Sequence, residues 1–123
     1  MDPHSLLIID DDRSSRNALQ RIFISRGWEV AMAATQEEGL SLMAGYAPDW
    51  IIVAWQQLSG NGALFFRQVR SSRRKTRLGV LVDELGPTER AMLQRLRADT
   101  IVGKPFVAET VFDRCVSHLA AAV

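Results

Sequence analysis

The sequence has little cysteine, little net charge and no long apolar run, and each shortage excludes a class of protein. The single cysteine, Cys115, cannot form an internal disulfide, which favours a reducing, cytoplasmic setting. A net charge of +1 predicts neither a nucleic-acid nor a membrane partner. No apolar run approaches the roughly 20 residues that a membrane helix needs. The N-terminus reads directly as a strand, so we expect no signal peptide.

The composition is that of one ordinary soluble domain. The chain has 123 residues, of which 47% are hydrophobic and 24% charged. This length is enough to bury a core without disulfides or a structural metal. We therefore expect residues 1–123 to form a single domain.

Hydrophobic periodicity predicts five strands that alternate with five helices. Short apolar runs indicate buried strands at residues 6–9, 28–33, 50–54, 78–82 and 100–102. Between and after these strands, apolar residues at helical spacing predict helices at about 14–26, 36–45, 63–70, 87–96 and 107–121. Thr35 and Glu38 look like a capping box, and Pro87 opens the fourth helix. Such alternation predicts an α/β fold with a parallel, doubly wound sheet.

Acidic residues and one lysine follow the predicted strands. Asp10–Asp12 follow the first strand, Ala54 ends the third, Asp83 follows the fourth, and Lys104 follows the fifth. In an open parallel sheet, ligands bind beyond the carboxyl ends of the strands. Carboxylate oxygens suit Mg²⁺ and a lysine suits phosphate or an ion pair, so this rim is the expected site.

These segments together resemble the receiver domain of two-component response regulators, the CheY-like family. The run Ile8–Asp12 is similar to that family's acidic Mg²⁺-binding pair, and Gly103–Phe106 to its lysine, cis-proline and aromatic. Pro48–Val53 resembles the approach to the phosphoacceptor, and Gly62 the glycine that closes the next loop. The resemblance covers essentially the whole chain. It implies the strand order 2-1-3-4-5 and a cytoplasmic signalling role.

The chain departs from the family at the positions that carry its chemistry. The phosphoacceptor aspartate falls on Ala54, whose methyl group offers no nucleophile, and the proline four residues later is Leu58. The switch Ser or Thr falls on Asp83, or on Val82 with another placement of one gap. The switch aromatic falls on Ile101. We therefore predict a pseudo-receiver with no catalytic residue, which is not an enzyme.

Without an acceptor carboxylate, we expect charged residues of the rim to pair with one another. Asp10 and Asp11 are the vestigial metal ligands, so no cofactor is required and Mg²⁺ binds weakly at most. They could instead cap the first helix. For Lys104 we favour an ion pair with Asp10 or Asp11 over a phosphate contact.

Protein partners are expected: a sensor kinase, an output domain of a longer regulator, or another regulator. In receivers the fourth helix, fifth strand and fifth helix often form the dimer or partner surface. On this surface we predict Arg90, Arg95 and an exposed Phe112 as contacts, although sideways packing of Phe112 is equally expected. We also predict that a homodimer can form through this surface.

Two other functions are compatible with the residues. A relocated carboxylate could accept phosphate, and the candidates are Asp10, Asp11, Asp12 and Asp83. Alternatively, the basic segment Arg70–Arg77 could bind a nucleotide or nucleic acid. We prefer a solvated loop for that segment, because it lacks the interleaved aromatics of single-strand binders.

Overall fold

A computed structural model describes residues 4–58, 62–72, 75–84 and 86–121. The strands are β1 (Ser5–Ile9), β2 (Glu29–Ala33), β3 (Trp50–Ala54), β4 (Arg77–Val82) and β5 (Thr100–Gly103). The helices are α1 (Arg13–Ser25), α2 (Gln36–Leu42), α3 (Ala63–Ser72), α4 (Pro87–Arg95) and α5 (Ala108–Ala121). Most predicted boundaries are met within one or two residues.

The five strands form one parallel sheet in the order β2-β1-β3-β4-β5. This order confirms the predicted fold class and the order that the resemblance implied. Its register aligns Ile9 with Val53, Ala54 with Leu81, and Val82 with Gly103. The carboxyl ends of β1, β3, β4 and β5 therefore meet at one edge, which we call the rim.

Apolar side chains pack on both faces of the sheet. Alternate residues of one strand point to opposite faces, and in β1 they divide between two core clusters. Leu7 and Ile9 pack with residues of α3 and α4 such as Phe65 and Leu93. Leu6 and Ile8 pack with α1 and α5. Helices on both faces explain why the strands are continuous apolar runs.

Local signals fix where α2 and α4 begin. Thr35 Oγ1 accepts a hydrogen bond from the backbone N–H of Glu38 at 3.2 Å. Glu38 Oε2 in turn accepts one from the N–H of Ala34 at 2.9 Å, one residue earlier than in a standard capping box. Pro87 is the first residue of α4, as predicted. None of the described helices is long and apolar enough to cross a membrane.

Burial is uneven along α3 and α5. In α3, Phe65 and Phe66 are buried, whereas the neighbouring Leu64 is 59% exposed. Its side chain points about 100° away from that of Phe65 around the helix axis, which directs it towards solvent. In α5, Phe112 was expected to be an exposed contact and is only 7% exposed, whereas Val116 is 40% exposed. Cys115 is buried, and burial raises the pKa of its thiol to about 12.

Candidate functional site

Asp10 forms the floor of the rim. It follows β1 directly, its N–H donates to the carbonyl of Ala33 at 3.0 Å, and its side chain is fully buried. Oδ1 accepts a hydrogen bond from the N–H of Asp12 at 3.0 Å. Oδ2 lies 2.8 Å from Nζ of Lys104, in a direction that gives a charge contact without hydrogen-bond geometry. A buried carboxylate needs such a counter-charge, because an isolated buried charge is strongly destabilising.

Lys104 reaches Asp10 from the turn after β5. Its N–H donates to the carbonyl of Val82 at 2.7 Å, and a cis peptide bond links it to Pro105. The side chain is 11% exposed, and its Nζ lies 3.9 Å from Oδ2 of Asp12. Of the two ion-pair partners predicted for Lys104, Asp10 is confirmed, and the second contact of Lys104 is with Asp12 rather than Asp11.

Asp12 begins α1. Its Oδ1 accepts from the N–H of Ser14 at 3.1 Å and its Oδ2 from the hydroxyl of Ser15 at 2.8 Å. The hydrogen bond from Ser15 is the main reason that the pKa of Asp12 is lowered. The capping function that we considered for Asp10 and Asp11 therefore belongs to Asp12, while Asp11 is exposed.

The position expected to accept phosphate carries no reactive group. Ala54 is the last residue of β3 and is fully buried. A short 3₁₀ turn, Trp55–Gln57, follows it. Gly62 closes the next loop with φ of 76°, and a Cβ there would lie 2.9 Å from the Trp55 ring. Both the positive φ and the close approach explain why this position is glycine.

The remaining switch positions lie at the end of β4 and in β5. Val82 is the last residue of β4, is 2% exposed and pairs with Gly103. Asp83 comes one residue later and is exposed. Ile101, in β5, is partly buried and packs against the core. Neither Val82 nor Asp83 provides a hydroxyl, and Ile101 provides no aromatic ring.

A cavity of about 660 Å³, which we call the rim pocket, opens between α1 and the turns after β4 and β5. It is lined by Asp12, Ser14, Ser15, Ala18, Asp83, Glu84, Lys104, Pro105 and Phe106. Sequence reasoning placed Asp12, Asp83 and Lys104 near one another but missed the apolar wall. Ala18 is exposed and lies away from the core side of α1. The hydrophobic pattern of the sequence therefore does not indicate that Ala18 lines a pocket.

The Mg²⁺ ion implied by the resemblance fits these residues poorly. Both oxygens of Asp10 already face other groups, Asp12 N–H and Lys104 Nζ. The side chain of Ala54 supplies no oxygen. Within the described residues, no three Asp, Glu, His or Cys side chains converge closely enough to hold a metal.

The predicted partner surface is exposed only in part. Arg90 and Arg95 are exposed on α4, and Arg95 lines a shallow groove there. The expectation that Phe112 is an exposed contact is wrong. It packs edge-on against Phe23 at 5.1 Å, and the guanidinium of Arg26 covers its ring at 5.0 Å.

The basic segment after α3 is partly neutralised within the chain. Arg70 and Arg77 both pair with Asp99, at 3.2 and 3.4 Å. Residues 73 and 74 of this segment lie outside the described parts of the chain. The charge available to a nucleic acid is therefore smaller than the sequence suggests.

The fold and the rim define a parallel, doubly wound α/β domain with an acidic edge and a lysine before a cis-proline. The chain belongs to the response regulator receiver domain family, which it matches over residues 6–115. It is 30% identical over 112 residues to the response regulator MprA of Mycolicibacterium vanbaalenii, covering 91% of this chain and 48% of that protein. The chain thus spans about half the length of the curated relatives it matches.

Solved structures agree on the fold. A CheY-like receiver domain protein from Methanospirillum hungatei superimposes with a TM-score of 0.87 at 18% identity, covering 98% of this chain and 96% of that one. The chemotaxis response regulator CheY4 of Vibrio cholerae gives 0.79 at 24% identity, covering 99% and 100%.

Proposed function

We propose that this receiver domain takes no phosphoryl group at the usual position and signals through protein–protein contacts. The observation that carries the proposal is Ala54, a fully buried methyl group at the end of β3. An acyl phosphate needs a carboxylate nucleophile, and this position has none. The domain is accordingly a binding module and not an enzyme.

The rim supports the proposal in a second way. Lys104 is paired with Asp10 at 2.8 Å, and the side chain of Ala54 offers no carboxylate that would compete for it. Asp83 would repel a phosphoryl group, since like charges at close range are unfavourable. We propose that the rim is held in one state by this ion pair. It would need no cofactor, and Mg²⁺ would bind weakly at most.

Membership of the receiver domain family supports the proposal that this domain binds protein partners. The candidates are a sensor kinase, an output domain or another regulator. We propose that residues 1–123 act as one receiver-like domain of a longer regulator in the cytoplasm, because the curated relatives are about twice as long. Arg90 and Arg95 remain proposed contacts on the α4–β5–α5 surface, through which a homodimer could also form. Phe112 is no longer one of these contacts.

The test is the intact mass of the protein after incubation with acetyl phosphate and Mg²⁺. We expect wild type to gain no phosphoryl group. An Ala54→Asp variant reports whether the rest of the rim is competent, and Ala54→Asn is its control of equal size without a nucleophile. A phosphoryl group on wild type would contradict the proposal. Mapping it to Asp10, Asp11, Asp12 or Asp83 would support the relocated acceptor.

A further inference from the structure

A cavity between α2 and α3, which we call the α2–α3 pocket, lies away from the rim. Its volume is about 470 Å³, and its lining includes Leu40, Met43, Ala44, Arg67, Gln68 and Ser71. These residues come from the end of α2 and the second half of α3. Each helix that follows a strand of a parallel sheet returns towards the amino ends of the strands, so both helix ends lie opposite the rim. Pockets for small ligands typically measure about 300–1,000 Å³, so the α2–α3 pocket is large enough for a small molecule.

The pocket exists because α2 ends early. Its helical pattern predicts a helix to about Gly45, but α2 stops at Leu42. The next residues form tighter turns, in which the N–H of Ala44 donates to the carbonyl of Ser41 and that of Gly45 to Leu42, both at 3.2 Å. With seven residues against ten, α2 is about one turn shorter than α3. A turn rather than a helix therefore faces the last part of α3, and it leaves space there.

The inner wall of the α2–α3 pocket is apolar. Met43 is 6% exposed and belongs to the same core cluster as Phe66 and Val69 of α3. Leu40 is partly buried against this cluster, and Ala44 adds an exposed methyl group. Transfer of apolar surface from water to such a wall is favourable. The pocket therefore favours a ligand with an apolar portion.

The α3 side of the pocket carries a cation without a counter-charge. Arg67 is exposed, and its guanidinium forms no ion pair or hydrogen bond with a described residue. The next arginine of α3, Arg70, is instead held by Asp99 at 3.2 Å and by the carbonyl of Thr76 at 2.9 Å. Residues 50–82 contain no Asp or Glu but six Arg or Lys residues. A ligand with a negative charge therefore meets no competing carboxylate from this part of the chain.

Gln68 provides a second donor beside Arg67. Its amide is exposed and forms no hydrogen bond with a described residue, whereas the Ser71 hydroxyl already donates to the carbonyl of Arg67 at 2.8 Å. A guanidinium binds a carboxylate through two parallel N–H groups, and the amide N–H₂ group can donate to the same carboxylate. The polar edge of the pocket therefore matches a carboxylate, and the inner wall matches an apolar chain.

We infer that the α2–α3 pocket binds a small carboxylate with an apolar chain, such as a medium-chain fatty acid. Arg67 and Gln68 bind the carboxylate, and Leu40 and Met43 contact the chain. Inorganic phosphate would leave the inner wall bare, and a hydrocarbon would leave Arg67 without a counter-charge. The inference goes beyond the proposed function, because it concerns a small ligand at a surface remote from Ala54.

The test is an amide NMR titration of the full chain with octanoate, decanoate and 1-octanol, at concentrations below micelle formation. We expect both carboxylates to shift the amides of residues 40, 44, 67 and 68. Decanoate should bind about tenfold more tightly than octanoate, because two further methylene groups leave water. Octanoate should bind about tenfold more tightly than 1-octanol, because only the carboxylate forms charge-assisted hydrogen bonds with Arg67.

Three variants separate binding in the pocket from general attraction. Arg67→Gln should weaken decanoate binding about tenfold and abolish the preference for octanoate over 1-octanol. Arg21→Gln removes the same charge from an exposed position on α1 and should leave binding unchanged. Ala44→Trp brings a large side chain to the pocket from an exposed position. It should block binding while circular dichroism and thermal melts show that the protein is folded.

Four results would overturn the inference: no shifts at these four residues, equal binding of octanoate and decanoate, equal loss in Arg67→Gln and Arg21→Gln, or full binding in folded Ala44→Trp. Binding of a peptide through its C-terminal carboxylate, with no binding of decanoate, would also overturn it and assign the pocket to a protein partner. None of these results changes the mass expected for wild type after acetyl phosphate. A phosphoryl group on wild type would instead contradict the proposed function whatever the carboxylates do.

Discussion

Aspartates occur at both ends of the parallel sheet, and their surroundings differ. At the amino end, Asp99 accepts a hydrogen bond from the N–H of Leu78 at 2.7 Å and pairs with Arg70 and Arg77. The neighbouring carboxylate there, Asp49, accepts from the N–H of Ser5 at 2.8 Å. Each of these aspartates cross-links two neighbouring strands, so its oxygens are used for stability.

At the rim most carboxylates are left available. Asp11 and Asp83 are exposed, and neither forms an ion pair with a described residue. Two rim aspartates are exceptions: Asp10 is fully buried and paired with Lys104, and Asp12 caps α1. Residue type therefore does not decide the role of an aspartate here. What decides it is whether a backbone N–H or a cation lies within reach.

The largest effect on stability is expected at the pair of Asp10 and Lys104. Replacing Lys104 with Met leaves Asp10 buried without a counter-charge, which we expect to lower the free energy of unfolding by about 3 kcal/mol. Adding Asp10→Asn should recover more than half of the loss, because Asn still accepts from the N–H of Asp12. Urea unfolding of the two single variants and the double variant measures this coupling. Additive losses would show that the pair stabilises nothing.

A smaller loss of stability is expected from Asp99, and it can be compared directly with a matched change at the rim. Asp99→Ala removes the acceptor for Leu78 and leaves two guanidinium groups unpaired, so we expect a loss of about 2 kcal/mol. Asp83→Ala is the matched change at the rim and should alter the free energy of unfolding by less than about 0.5 kcal/mol. Urea midpoints at pH 7 measure both. Equal losses would contradict the distinction between the ends.

The sequence was enough to predict the layout of the rim. Continuous apolar runs located the strands, and the parallel fold then brought Asp10, Asp83 and Lys104 to one edge. An ion pair of Lys104 with Asp10 or Asp11 followed from this layout and the absent acceptor at Ala54, and the structure shows that the partner is Asp10. These predictions succeeded because each depends on local pattern and on one topological rule.

Other features depend on contacts that no local pattern reveals. The partners of Asp99 lie 21 to 29 residues away in the chain, and nothing near Asp99 indicates them. Phe112 was expected to be exposed because its place on α5 was judged without α1, whose Phe23 and Arg26 cover it. The rim pocket likewise forms only when Ala18 and Phe106 are brought together by packing.

The smallest effect concerns Asp12, which caps α1 while lining the rim pocket. Its pKa lies below the ordinary value of 3.8, chiefly because Ser15 hydrogen-bonds the carboxylate. A carboxyl whose pKa is lowered by folding adds stability above its unfolded pKa, and that stability is lost as pH falls through the folded pKa. We therefore expect Asp12→Ala to lower the melting temperature at pH 7, with the deficit shrinking below about pH 4.

Asp12→Asn is the control for this change, because Asn caps a helix without titrating. Its difference from wild type should be smaller than that of Asp12→Ala at pH 7. Thermal melts of the three proteins at pH 3 and pH 7 measure both effects. A deficit for Asp12→Ala that is the same at both pH values would mean that its charge adds nothing. Asp12 would then resemble the exposed aspartates of the rim rather than Asp99.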